Sequence, residues 1–302
     1  MNILVTGGAG FLGTHLTATL RKSGHVVRVL DHNQTTDPNS IVGDVCDPDT
    51  VKRALDGIET VFHLAAHIEA GESVKEPYEY TRNNVLGFVV LLEEMRKANI
   101  TSCIFSSSAA VYGEPVRVPI FEDDRTMPIN PYGMTKLAME GLASSYSYAH
   151  GFTCVALRYF NLYGPGENHE PETHAIPRFI NQIAKGEEVT LWGEGDNQRD
   201  FVHVSDIVQA HIKALELEKG KYHYFNVSGK NATKVIDVIT MIEKLLGKTA
   251  TIKKYPPRLG DPMLLFADST KAKEQLNWEA QIELPYGLAE TVEWFRSSGK
   301  LA

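Results

Sequence analysis

Three glycines at three-residue spacing, Gly7, Gly10 and Gly13, sit in the stretch VTGGAGFLG (residues 5–13), directly behind the apolar run 3–6 that opens the chain. Few local structures tolerate that pattern. Glycine allows a tight turn, close approach of backbone to a ligand, and near contact between a helix and a strand. A helix starting there offers unpaired N–H groups and a partial positive charge to a phosphate. A glycine triplet alone also occurs in ordinary turns. Here a strand precedes it and an amphipathic helix follows, the context of a pyrophosphate cradle for a dinucleotide, with Phe11 and Leu12 inside the loop.

The pattern beyond the loop agrees. Strand-like runs at 3–6, 26–31, 60–64, 102–106 and 153–158 alternate with helical patterns at 13–23, 50–55, 84–98 and 132–149. Such alternation implies right-handed βαβ units, so the expected fold is α/β, a doubly wound parallel Rossmann sheet. Gly164, Pro165, Gly166, Pro171 and Pro177 then mark 161–178 as ordered loop rather than sheet. A helix at 176–185, a strand at 188–191, a polar loop at 193–199 and a helix at 204–217 follow. The run 224–227 reads as one more strand of the parallel sheet. A helix at 233–246, a strand at 251–254 and a helix at 286–296 complete a smaller C-terminal lobe. The expected division is 1–165, with 200–228 packing back onto it, and 166–302 as a substrate-binding lobe across a cleft.

Asp31 ends the second strand, 18 residues after Gly13. An acid there hydrogen-bonds both hydroxyls of an adenosine ribose and repels a 2′-phosphate. No arginine follows in His32-Asn33-Gln34, so NAD is expected over NADP. The other reading of Asp31 is a solvated acid at a turn.

Bulk properties exclude several classes. The formal charge of -8 offers nothing to nucleic acid or an anionic membrane, and no apolar run approaches membrane-spanning length. Cys46, Cys103 and Cys154 are odd in number, far apart and without metal-pair spacing, so no metal is expected. Three reduced thiols, and residues 1–6 that enter a strand without a charged and apolar leader, point to the cytoplasm. Asn231-Ala232-Thr233 has the form of a glycosylation sequon, expected to be incidental.

Tyr132 and Lys136 lie four residues apart on a predicted helix and so share a face. A phenol ionises near pH about 10 and needs to fall by about 3 units to act as a base at neutral pH. An ammonium about 7 Å away supplies about 2.4 kcal/mol at an effective dielectric of about 20, short of the whole requirement. The pair also occurs by chance on surface helices. FSSSAAVYG (105–113) supplies further context, since it ends a strand in three serines. Ser108 can there hydrogen-bond both a substrate oxygen and Tyr132.

With Ser108, Tyr132 and Lys136, the chain resembles the extended short-chain dehydrogenase/reductase family over residues 1 to about 296. That resemblance implies Tyr132 as base and Lys136 and Ser108 as its helpers. It also implies contacts to the cofactor from Asp44 and Val45, Leu64, Ala65 and Ala66, Asn84, Ser106 and Tyr159. Within the family, GESVKEP (71–77), NNVLG (83–87), LRYFNLYG (157–164), ENHEPETHAIP (167–177), RDFVHVSD (199–206) and PRLGDPMLLFADSTKAKEQLNW (257–278) look like the UDP-glucose 4-epimerases. The likeness implies a UDP-sugar substrate and a homodimer built from helices 84–98 and 132–149. It places Asn161 and Arg199 by the pyrophosphate, Arg258 on phosphate oxygens, Asp261 on the uridine ribose, and His174, Ala175 and Leu265 in the sugar region. Trp192 would lie against the uracil; core packing is its other reading. Only GEGDNQ (193–198) precedes Arg199, where such epimerases carry a longer insertion. Leu265 stands where a hexose-only enzyme has Tyr.

The residues after Ser108 narrow the reaction. Relatives that eliminate water or carbon dioxide carry acids there, whereas Ala109 and Ala110 transfer no protons. Simple epimerisation at C4 through a 4-keto sugar is therefore expected, with cofactor redox balanced within each turnover. The alternatives are an epimerase of a UDP-N-acetylhexosamine or UDP-pentose, a reductase of a keto sugar, and a non-catalytic NAD-sensing scaffold.

Overall fold

Burial on both faces is why the sheet strands read as unbroken apolar runs. Ile3, Leu4 and Val5 are all wholly buried, yet they point to opposite sides: Ile3 and Val5 pack with one cluster of core residues and Leu4 with another. The computed structural model describes residues 1–35, 37–167, 174–256 and 263–301. Among them, the central sheet holds β1 (Asn2–Thr6), β2 (Val26–Asp31), β3 (Ser40–Val42), β4 (Thr60–His63), β5 (Ser102–Ser108) and β6 (Thr153–Tyr159). Further along come β7 (Asn161–Tyr163), β8 (Glu188–Trp192), β9 (Gln198–His203) and β10 (Tyr222–Val227), of which β10 joins the central sheet. Its order is β10-β6-β5-β4-β1-β2-β3, parallel throughout. The expected doubly wound sheet is present, including the late return of the chain to pair β10 with β6.

Helices cover both faces. Phe11–Lys22 and Val204–Ala214 bury Leu12, Leu16, Ile207 and Val208 on one side. Pro48–Ala54, Gly87–Lys97 and Pro131–His150 bury Val51, Leu91, Met95 and Met139 on the other. A third apolar cluster lies outside the sheet. Ile176, Phe179, Ile180 and Ile183, at the spacing of one helical face, come from Ala175–Lys185. They meet Val238, Ile239 and Ile242 of Val235–Leu246, and Leu288, Val292 and Phe295 of Leu284–Ser297.

Three departures from the sequence pattern bear on the site. Residues 161–178 are not all loop, because β7 pairs in parallel with β9. β9 was read as polar loop and motif because Arg199 and Asp200 interrupt its apolar pattern. Both are buried, and Asp200 is held by backbone N–H groups of Gly229 and Ala267 instead of by water. β9 also pairs with β11 (Ala232–Lys234) and β13 (Leu264–Leu265), while β8 pairs with β12 (Thr251–Tyr255). The helix expected from residue 84 begins earlier, as a π-helical turn Thr81–Leu86 that leads into Gly87–Lys97.

Candidate active site

The strand order reverses between β1 and β4, and the carboxyl ends of these strands carry the glycine loop and Leu64, Ala65 and Ala66. That switch point is where doubly wound sheets bind ligands. Gly7 has φ of +70°, and a Cβ on it would lie 2.7 Å from the Ala65 backbone nitrogen. A Cβ on Gly13 would lie 2.2 Å from the Gly7 carbonyl oxygen. Gly10 caps the Phe11–Lys22 helix without a side-chain bond, and no acid stands in its first turn. Its N–H groups therefore face no built-in anion.

Asp31 is buried at the end of β2, where its Oδ2 accepts from Ala9 N (2.9 Å) and its Oδ1 from Asn33 N (2.9 Å). A carboxylate offers about four acceptor positions, so lone pairs are left for two ribose hydroxyls. This cradle and this acid fit a dinucleotide. Asp44 accepts from Cys46 N and from Arg82 Nη2 (2.7 Å). Burial works to raise its pKa, but those hydrogen bonds prevail and hold it below the usual range. Val45 beside it is buried.

The Pro131–His150 helix carries the proposed base. Asn130 caps it through Gly133 N (2.8 Å) and Pro131 opens its first turn. Ser108 caps the short turn Ala109–Val111. Helix and turn press together at Gly133, where a Cβ would lie 2.5 Å from the Ala110 carbonyl oxygen. Ser108 thereby stands beside Tyr132, near enough that its hydroxyl favours the ionised phenol. Lys136 is buried one turn on, its Nζ 5.9 Å from the centre of the Tyr132 ring. Nζ donates to the Ser106 carbonyl (2.8 Å) and Oγ (3.0 Å). Burial lowers the Lys136 pKa to about 7. Burial also raises that of Tyr132, the nearby Ser108 hydroxyl works against the rise, and the Glu69 charge adds to it.

Tyr159 donates its hydroxyl to His211 Nε2 (2.8 Å), because His211 Nδ1 is committed to the Ile207 carbonyl. Asn84 sits in the π-helical turn with its amide fully used. It accepts from His67 N and Asn83 Nδ2 and donates to the His67 carbonyl and Thr135 Oγ1. Asn84 thereby ties the 64–67 segment to the catalytic helix. Ser73, within the GESVKEP stretch, accepts from Tyr132 N (3.1 Å).

On the lobe side, Asn161 donates to the Asp200 carbonyl (2.8 Å), and Arg199 is buried on β9 with Nη1 on the Gln198 carbonyl. Leu265 pairs across from Arg199 and packs half-buried against the group that includes Ala109, Val111 and Phe160. Trp192 stands on the separate β8–β12 sheet, its ring 5.2 Å from that of Tyr255. Arg258 and Asp261 lie outside the described residues. His174 precedes the Ala175–Lys185 helix, its Nδ1 2.6 Å from Glu167 Oε1 and its Nε2 3.4 Å from Glu69 Oε1. The sequence pattern does not single out Glu69, and Glu167 enters it only as the first residue of ENHEPETHAIP. Each is one of several acids in its stretch, so no spacing marks it.

A model of the NAD dependent epimerase/dehydratase family matches residues 3–228. The UDP-glucose 4-epimerase of Corynebacterium glutamicum is 40% identical over 300 residues, covering 92% of this chain and 90% of that protein. Among solved structures, UDP-glucose 4-epimerase with UDP-glucose from Thermotoga maritima superposes at a TM-score of 0.93, with 35% identity over 99% of each chain. MoeE5 in complex with UDP-glucuronic acid and NAD does so at 0.92, with 36% identity over 99% of this chain and 100% of that one. The matched span contains the glycine loop, Ser108, Tyr132 and Lys136, and the chain belongs to the NAD-dependent epimerase/dehydratase family.

Proposed function

We propose that the protein inverts C4 of a UDP-hexose, interconverting UDP-glucose and UDP-galactose. The carrying observation is Lys136 Nζ lying 5.9 Å from the centre of the Tyr132 ring, with Ser108 beside that phenol, at the sheet edge that bears the glycine cradle. Tyr132 takes the proton from O4 as the C4–O4 double bond forms, and Ser108 holds the same oxygen in line. NAD, when bound, accepts the C4 hydride and returns it. Lys136 supplies positive charge below the phenol. Once the 4-keto sugar has turned over, Tyr132 returns the proton to O4 and the opposite face of C4 is reduced. Ala109 and Ala110, next to Ser108, provide no acid or base for elimination.

The relatives named UDP-glucose 4-epimerase support the substrate class, and the family supports the cofactor. Residues 1–165 with 200–228 would hold the cofactor, and 166–302 the sugar nucleotide, with Arg199, Asn161, Arg258 and Asp261 on its UDP part. A homodimer would form on the Gly87–Lys97 and Pro131–His150 helices, where Tyr148 is 97% exposed. Among the described residues, no helix is long and apolar enough to cross a membrane.

The test is incubation of purified protein with UDP-galactose and no added cofactor, followed by separation of the products. UDP-glucose should appear, and Tyr132→Phe should slow its formation by about 10²-fold or more, since it removes the proton acceptor and keeps the ring. Near-normal turnover in Tyr132→Phe overturns the assignment of the base. Absence of any UDP-sugar product from wild type, with dinucleotide bound, favours the sensing scaffold.

A further inference from the structure

Glu69, His174 and Glu167 meet from three segments at the edge of the proposed sugar site. Glu69 precedes the Ala70–Lys75 helix, Glu167 ends the 164–167 turn, and His174 precedes the Ala175–Lys185 helix. The 2.6 Å contact between His174 Nδ1 and Glu167 Oε1 is that of a pair sharing one proton. With an imidazolium the pair is neutral and with a neutral imidazole it carries one negative charge, so it is never positive, and Glu69 lies close enough for Tyr132 to feel its charge. Glu167 is 1% exposed, and its second oxygen, Oε2, is buried without a hydrogen-bond partner among the described residues. A buried orphan acceptor costs free energy until a donor reaches it.

Such a wall discriminates among C6 substituents. O4 must lie at Tyr132 for the proposed epimerisation, and C6 is only two bonds from C4, about 2.5 Å at the ordinary C–C length. Turning the keto sugar over exchanges the sides of C3 and C5, so C6 sweeps both walls of the site. A CH2OH group brings a donor to these acceptors. A carboxylate brings a second negative charge and no donor. We propose that Glu69 and the Glu167–His174 pair are specificity-determining residues that admit UDP-hexoses with a C6 hydroxyl and reject UDP-uronic acids. The proposal rests on the C4-epimerase reading above. MoeE5, a relative of the same fold, holds UDP-glucuronic acid in one structure and UDP-glucose in another, so the fold alone does not set this choice.

The experiment measures kcat/KM and, by calorimetry, Kd for UDP-glucose and UDP-glucuronic acid in wild type, Glu69→Gln and Glu167→Gln. Wild type should favour UDP-glucose by about a hundredfold or more, and Glu69→Gln should shrink that preference at least tenfold by improving the uronate. A purely structural role would weaken both ligands together and leave the ratio alone. The Kd ratio reads the same discrimination where a variant has lost turnover, and Glu167→Gln tests the second carboxylate should Glu69→Gln fail to fold. Equal use of the two sugars by wild type overturns the proposal, as does an unchanged ratio in both variants. Failure to epimerise UDP-glucose at all overturns the parent reading instead, so the two failures are distinct.

Discussion

Gly133 and Ala110 approach so closely that a single methyl group on Gly133 would sit 2.5 Å from the Ala110 carbonyl oxygen. The contact is backbone against backbone, with no flexible side chain to yield. It brings the first turn of the catalytic helix against the turn that follows Ser108, and so sets the spacing between Ser108 and Tyr132. Gly133→Ala should therefore cost about 1–3 kcal/mol in stability, as overpacking does. It should also lower kcat at least tenfold, since reacting groups displaced by even about 1 Å lose much of their effect. Thermal melts and steady-state kinetics would check this. Full activity in Gly133→Ala would mean the contact relaxes elsewhere.

Lys136 carries a pH signature. Burial lowers its pKa to about 7 in the folded protein, against 10.5 for the free side chain. Below pH 7 both states are charged, and the folded state bears the full penalty of a buried ammonium. Between about 7 and 10.5 the unfolded chain holds more protons, so the stability contributed by this group rises with pH. Lys136→Met removes the titration. In nucleotide-free protein its Tm should exceed that of wild type by most at pH 6, and the gap should close towards pH 10, although the variant is inactive. A gap that does not change with pH would show that Lys136 is not held in this way.

The dinucleotide should remain with the protein through purification, because a C4 epimerisation regenerates its own oxidant. Acid release and chromatography should show NAD(H) and no NADP. Both oxygens of Asp31 already accept backbone N–H groups of Ala9 and Asn33. Asp31→Asn should therefore weaken both the loop and the ribose contacts, with NAD affinity falling about ten- to a hundredfold, the scale of a hydrogen bond to a charged group. Unchanged affinity would remove Asp31 from the ribose.

The parts of the site legible in the sequence were those whose chemistry forces a pattern. The cradle needs Gly7, Gly10 and Gly13 at fixed spacing, and two buried faces give β1 and β6 their apolar runs. Helical periodicity likewise put Tyr132 above Lys136. What stayed hidden depends on contacts between distant segments. The carboxylate of Asp200 is satisfied by Gly229 and Ala267, so β9 looks polar although it is buried. The amide of Asn84 bonds to His67, Asn83 and Thr135, a bracing role between distant segments that no local pattern marks. Glu69 and Glu167 meet at His174, across a sequence distance that no local pattern records.

Leu265 sets how far the proposed substrate range extends. The sugar site must accept a hexose in two orientations, so a 2-acetamido group needs room in the place that each orientation gives it. Leu265 is half-buried against the cluster that contains Ala109, the residue after Ser108, and its strand neighbour is Arg199. It therefore stands between the catalytic turn and the residue proposed for the pyrophosphate, and it has no phenol ring to fill that space. UDP-N-acetylglucosamine and UDP-N-acetylgalactosamine should interconvert alongside the plain pair. Leu265→Tyr should suppress the acetamido pair at least tenfold more than the plain pair, because the added ring clashes only with the larger substituent. The measurement is kcat/KM for both pairs in both proteins. A wild type that ignores acetamido sugars, or a Tyr variant that loses both pairs equally, would show that another residue is the gate.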